Sequence, residues 1–282
     1  AESVWAADEY SHLSQLVESQ NLQRIGWGSS SAKTLTLSFY VKSSVTGTFA
    51  VGIYKADNTA AISNKTYTID SANTWEYKTV TFTANTSAGT IANDNGIGFY
   101  VNWHLAAGSD FTGGGSLTDW TNYGGDSFWA NGQATNALYT TNSSTWQLTG
   151  CQLEVGDTAT DFEHRSFGDE LARCKRYTYV YNFGGSSGNA GTELYRYYST
   201  TNAFSSRLQF PVEMRAAPAG TLGSTPLVHA PVNSANVASS TISFQQATSQ
   251  SITLQCTPGT DYGANQYSII LNTGNVILDA EL

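Results

Sequence analysis

The chain has 282 residues, enough for two domains of ordinary size that each bury a core of their own. Only 12% of residues are charged, against roughly 25% in typical soluble domains, and Thr, Ser, Asn and Gly are abundant, the make-up of a β-rich extracellular surface. A formal net charge of −9 with only 13 Lys and Arg argues against a phosphate-neutralising surface, and no run approaches the roughly 18 apolar residues of a membrane span, so neither nucleic acid nor membrane insertion is expected.

The opening segment AESVWAADEY has no basic n-region and no apolar h-region, so no signal peptide is read there. Strand signals with turn punctuation follow at Thr34–Lys42, Thr48–Tyr54, Trp75–Phe82, Ile97–Trp103 and Trp146–Val155. In TLTLSFYVK, Leu35, Leu37, Phe39 and Val41 fall on one face. Among the intervening residues in each run are Ser, Thr, Lys or Asn, which predicts one packed face and one wet face. Two such faces opposed make the core of a sandwich, and nothing suggests βαβ units or a parallel sheet.

From His104 to Leu138 the period fades into a Gly-rich stretch that still carries Phe111, Trp120, Tyr123, Phe128 and Trp129. Long ordered loops of this kind are often functional. The alternative is that these aromatics cover an end of the sandwich core, since aromatics bury much area. The turn Gly156-Asp157 breaks the last of these strands. Ser166, three residues before Asp169, then starts a capping box, and Phe167, Leu171 and Cys174 recur at helical spacing. Short strand-like runs follow: YTYVYNF, ELYRYYS, FSSRLQFPV, TISFQ, SITLQ, YSIILN and VILDAEL. Gly184–Gly191 and the region from Pro218 to Pro231 read as turns or loops. No heptad, collagen or other strict repeat is present.

The chain therefore reads as all-β, with a domain over residues 1–165, a short linking helix over 166–175 and a smaller C-terminal β-sandwich domain over 176–282. The segment EVGDTATDFEHRSFGDELARCKRY at the junction resembles one found in bacteriophage virion proteins, especially tail-fibre and related proteins of marine and cyanobacterial phages. QNLQRIGWGSSSAKTLTLSFYVKSSVTGTFAVGIY, RLQFPVEMRAAP and the closing LDAEL are similar to the same group, so the resemblance touches most of the chain. It implies an N-terminal jelly-roll similar to carbohydrate-binding modules, a small second β-domain, and a homotrimer assembled in the host cytoplasm and exposed on the virion. Against that family the chain opens inside the jelly-roll, and its single methionine is Met214, so residues upstream of Ala1 are expected to be missing.

Catalytic signals are weak. There is no GxSxG elbow, GxxxxGK loop, HExxH or zinc spacing, and the chain reads as no enzyme, with no cofactor and no metal. His12, His104, His164 and His229 are scattered and expected at the surface or hydrogen-bonded. Cys151, Cys174 and Cys256 cannot all pair and are expected as free buried thiols, reduced in a bacterial cytoplasm. Asp161 and Glu163 share a face of an extended segment, as a glycosidase pair could, but salt bridging to the helix is the simpler role; Glu154 and Asp157 read as turn and linker structure. Asn93-Asp94-Asn95-Gly96 offers oxygen ligands of the kind that hold a structural calcium, yet lacks the distal acid and reads as a β-turn. Asn64, Asn85 and Asn142 match the N-glycosylation pattern, as a Thr- and Asn-rich chain does by chance.

Sugar binding is the better expectation. Sugar C–H groups pack on aromatic faces while Asn, Asp and Gln take the hydroxyls. Trp103, Asp119, Trp120, Tyr123, Trp129 and Asn131 supply that mixture around one loop-rich region, and the same mixture suits ordinary burial. Tyr195, Tyr197 and Tyr198 with Arg196 are a second candidate, or face a neighbouring subunit. The expected function is a tail-fibre or fibre-like virion protein that contacts other tail or head proteins and a host-surface glycan. The alternatives are a head-fibre or decoration protein without glycan binding, and a carbohydrate-binding module of a secreted polysaccharide-degrading enzyme.

Overall fold

Leu35, Leu37, Phe39 and Val41 are 4%, 1%, 0% and 0% exposed, so the period-two pattern of TLTLSFYVK is that of a strand laid on a core. The computed structural model describes residues 5–87, 89–182, 194–197, 204–222, 227–230, 235–258, 268–271 and 275–281. The chain divides into two compact units, Ala1–His164 and Arg165–Glu281. In both, the regular structure is mainly antiparallel strands, an all-β architecture.

The first unit contains β1 (Tyr10–Glu18), β2 (Leu35–Ser43), β3 (Gly47–Lys55), β4 (Ala61–Ile69), β5 (Glu76–Phe82), β6 (Ile97–Ala107), β7 (Thr121–Asn122), the short helix α1 (Ala137–Thr140) and β8 (Trp146–Val155). They form a five-stranded sheet in the order β1-β6-β3-β4-β7 and a three-stranded sheet in the order β5-β2-β8. Strands β1, β4 and β7 are not expected from sequence. Phe39 of the smaller sheet meets Tyr67 and Trp103 of the larger one edge-on, with ring centroids 5.1 and 5.9 Å away. Around this contact Phe49, Val51, Ile53, Phe82, Phe99 and Val101 are at most 2% exposed, each such side chain contributing about 1.5–3 kcal/mol by leaving water.

The larger sheet departs from the expected alternation of packed and wet faces. Ala50 on β3, Asn64 on β4, and Asn102 and His104 on β6 point away from the core, yet they are at most 2% exposed. The Gly-rich segment lies over this outer face. Asn64 Nδ2 donates to the carbonyl of Phe128 at 2.8 Å, and the Ala50 N–H donates to Gln133 Oε1 at 2.7 Å. Gly52 is needed here, because a Cβ would come within 2.0 Å of Asn64 Oδ1.

The second unit opens with α2 (Phe167–Lys175). Ser166 Oγ accepts from the Asp169 N–H at 3.2 Å, so the N-terminal cap read from sequence forms. Strands β9 (Thr178–Asn182), β10 (Leu194–Tyr197), β11 (Phe204–Gln209), β12 (Ala219–Leu222), β13 (Leu227–Ala230), β14 (Ala235–Gln245), β15 (Ser251–Pro258), β16 (Ser268–Leu271) and β17 (Asn275–Asp279) follow. One sheet runs β12-β17-β9, and the others close into a barrel in the order β10-β11-β15-β14-β13-β16. Leu208, Ile252 and Leu254 from the barrel strands and Val276 and Leu278 from β17 pack with Met214 as the core of this unit.

Two expectations are corrected. The region from Pro218 to Pro231 contains β12 and β13, because Thr221 and Leu222 of β12 pair with Ile277 and Val276, and β13 pairs with both β14 and β16. Cys151 and Cys174 are free but exposed, not buried, since one lies on the edge strand β8 and the other at the end of α2; Cys256 lies on β15. The turn expected at Gly184–Gly191 lies outside the described residues. Among the described residues no helix is long and apolar enough to cross a membrane.

Candidate functional site

Register on the outer face of the large sheet decides which side chains meet. Strand β6 sends Phe99, Val101 and Trp103 into the core, so Tyr100, Asn102 and His104 point the other way. Across the ladders His12 stands opposite His104, and Tyr54 opposite Tyr100. Over them the Gly-rich segment lays Trp129, whose ring is edge-on to His12 at 5.6 Å, His104 at 6.2 Å and Tyr54 at 5.5 Å.

Beside Trp129 is a depression of ≈ 290 Å³ lined by Tyr10, Phe111, Tyr123, Asp126 and Trp129. Tyr10 and Phe111 are tilted against each other with centroids 4.7 Å apart, and Tyr123 is edge-on to Tyr54 at 5.1 Å. The Tyr123 hydroxyl donates to Asp126 Oδ1 at 3.2 Å. Burial, helped by that carboxylate, pushes the Tyr123 phenol up to about 12, so it remains a hydrogen-bond donor at neutral pH. A short turn of helix, residues 126–128, holds Asp126 two residues from Phe128, whose carbonyl is tied to Asn64. The depression thus offers aromatic faces for C–H groups and a phenol–carboxylate pair for hydroxyls, the chemistry that recognises a sugar.

The residues expected from sequence divide. Tyr123 and Trp129 line the depression. Trp103 does not: it is 3% exposed inside the sandwich, because its strand position faces the core. Trp120 packs on the open end of that core, with Trp27 at 4.6 Å and Phe99 at 6.1 Å, and its indole N–H donates to the carbonyl of Thr83 at 2.7 Å. Asp119 is held at the same end, accepting from the Thr83 hydroxyl at 3.3 Å. Asn131 is half-buried near Gly115. Reading the aromatics as core cover is therefore right for Trp120, and only part of the segment builds a hollow.

Sequence reasoning misses Tyr10, Tyr54 and Asp126. Tyr10 is found only by recognising β1, whose pairing with β6 brings it opposite Ala107. Of the other candidates, Asp161 and Glu163 are exposed; Tyr195, Arg196 and Tyr197 lie on β10, and Tyr198 lies outside the described residues. Asp94 Oδ1 accepts from the Gly96 N–H at 2.9 Å, the turn expected there.

His104 corrects the expectation of surface or hydrogen-bonded histidines. It is 0% exposed and neither ring nitrogen has a partner in the protein. Burial, with His12 adding to it, pulls its pKa down to about 3, so the ring is neutral. His164 is exposed, and His229 lies on β13. Among the described residues no group of three or more His, Cys, Asp or Glu is placed to share a metal ion. Compared with known proteins, the chain matches no family model, and neither a curated protein nor a solved structure matches it.

Proposed function

We propose that this chain is a non-catalytic virion protein, a tail-fibre or fibre-like component, whose first unit holds a host-surface glycan in the depression on the outer face of its five-stranded sheet. The observation that carries the glycan part is the convergence of Tyr10, Phe111, Tyr123 and Trp129 around the Asp126 carboxylate. The resemblance of the junction segment and of the stretches beside it supports the virion part. Aromatic walls supply most of the contact area, while Asp126 and Tyr123 orient the ring by hydrogen bonds.

A homotrimer accounts for apolar groups that one chain leaves in water. Phe167 on α2 is 82% exposed, and Val180 and Ile277, paired across β9 and β17, are 43% and 38% exposed. A symmetric assembly removes such groups from solvent. Glycan-array capture by the intact chain, repeated with Tyr123→Ala, tests the binding reading; an array that captures nothing, or capture indifferent to Tyr123, defeats it. Labelled antibody against the chain, viewed on intact particles by electron microscopy, tests the virion assignment.

A further inference from the structure

Tyr10 lines more than one hollow. It also borders a second one, of ≈ 450 Å³, lined by Trp5, Asp8, Glu9, Tyr10 and Tyr139. There the rings of Trp5 and Tyr139 stand 4.7 Å apart at 43°, and the Trp5 indole N–H donates to the carbonyl of Glu9 at 3.1 Å. Both hollows border Tyr10, so they are neighbours on the surface of the first unit.

Charge along this strip has one sign. Its ionisable carboxyl groups are Asp126 in the first hollow and Asp8 and Glu9 in the second, and neither lining contains a lysine or arginine. Among the described residues none of these three acids enters a salt bridge. Their protein partners are neutral: Glu9 Oε2 accepts from the Ala6 N–H at 2.8 Å, and Asp126 accepts from the Tyr123 phenol. Among the described residues, the other titratable groups facing the strip are the phenols of Tyr10, Tyr123 and Tyr139 and the half-buried His12, whose pKa burial lowers, so they bring no positive charge at neutral pH.

An acidic polysaccharide would bring its carboxylates against uncompensated carboxylates. A protonated amine gains their attraction instead, and also finds aromatic faces that favour a cation. We infer that the strip selects glycans carrying free, protonated amino groups, such as unacetylated hexosamine units, over their N-acylated or acidic counterparts; this rests on the glycan reading above.

The test titrates the intact chain by calorimetry with two β-1,4-linked glucosamine oligomers of equal length, one fully deacetylated and one fully N-acetylated, at a pH below the pKa of the free amine. The deacetylated oligomer is expected to bind about tenfold more tightly, an advantage that shrinks with added salt. Asp8→Asn with Glu9→Gln should reduce that advantage to about twofold, the Gln keeping an acceptor for the Ala6 N–H. Asp157→Asn with Asp161→Asn removes equal charge from exposed positions of the same unit outside the strip and should leave the advantage intact. Equal binding of the two oligomers, preference for the acetylated one, or equal losses in the two double variants would each overturn the inference. If neither oligomer binds, it is also overturned, and the array decides the rest. Tyr123-dependent capture of a neutral or acidic glycan preserves the glycan reading, and a blank array removes both.

Discussion

The imidazole rings of His12 and His104 lie 6.0 Å apart, opposite each other on neighbouring strands, with the Trp129 indole edge-on to both. Burial lowers both pKa values, that of His104 to about 3, so the folded state holds these rings neutral. The unfolded chain binds protons near 6.5, and where it binds more protons than the folded chain, stability rises with pH. The contribution is therefore complete above about 6.5 and is lost progressively as pH falls from there towards 3. We expect about 2 kcal/mol less stability at roughly pH 5 than at neutrality from His104 alone. Carboxylates such as Glu154, held low by the Thr160 amide and hydroxyl, lose their contribution only below their ordinary value of 4.5. Urea unfolding across this window measures the slope. A slope that persists unchanged in His104→Phe would assign it elsewhere.

Binding should depend on the phenol more than on its acidity. Tyr123→Ala removes an aromatic wall and a hydroxyl donor and is expected to weaken binding of an array-identified glycan about tenfold or more, whereas Tyr123→Phe, which keeps the wall, costs about threefold. Asp126→Asn keeps an acceptor for the phenol and falls between them. Calorimetry on variants that retain the wild-type melting transition separates these effects from misfolding. Equal affinities for the Ala and Phe variants would mean that the ring face contributes nothing.

The loop can be loosened from beneath. Adding a Cβ at Gly52 drives it to 2.0 Å from Asn64 Oδ1, which must move and release the Phe128 carbonyl that anchors the 126–129 turn. Gly52→Ala is therefore expected to lower glycan affinity by about tenfold and to destabilise the first unit by about 1–3 kcal/mol. Hydrogen exchange should show faster exchange in 108–136 while β2 amides stay protected. Faster exchange spread evenly over both sheets would place the damage in the core instead.

These side chains explain what is and is not readable in the sequence. TLTLSFYVK announces β2 because its inward positions are all large and apolar and its outward ones, Tyr40 apart, polar. The same grammar fails for β1, YSHLSQLVE, where inward Leu13 opposite Trp103 remains 47% exposed on an edge strand and the outward positions carry Tyr10 and His12. It fails again for the outer face of β6, whose His104 and Asn102 look solvated in sequence yet lie under a loop that no local pattern foretells. Trp103 and Trp120 have the chemistry of a sugar platform, but parity along β6 and packing against Trp27 dispose of them. Tyr123 and Trp129 carry no more local signal than those two. What distinguishes them is the tertiary bond from Asn64 to Phe128, and a single sequence does not encode long-range pairs legibly.

Lys55 gives the last expectation. Its side chain is fully buried, its Nζ donates to the carbonyls of Asn58 and of Thr59, the latter at 3.1 Å, and it stands 5.6 Å from the centre of the Trp27 ring. The turn it closes holds Asn58 and Thr59 at φ of 23° and 60°, a left-handed conformation that Asn tolerates but that is costly for the β-branched Thr59, so the ammonium pins a strained connection between β3 and β4. Lys55→Met fills similar space and leaves those carbonyls without their donor, which should cost about 2–3 kcal/mol. Lys55→Arg is no substitute, because a Cβ added at Gly89 would already lie 3.1 Å from Nζ, a measure of how little room the planar head would find. Both variants should therefore unfold at lower urea than wild type. A wild-type midpoint for Lys55→Met would show that solvent satisfies the turn and that the ammonium is dispensable.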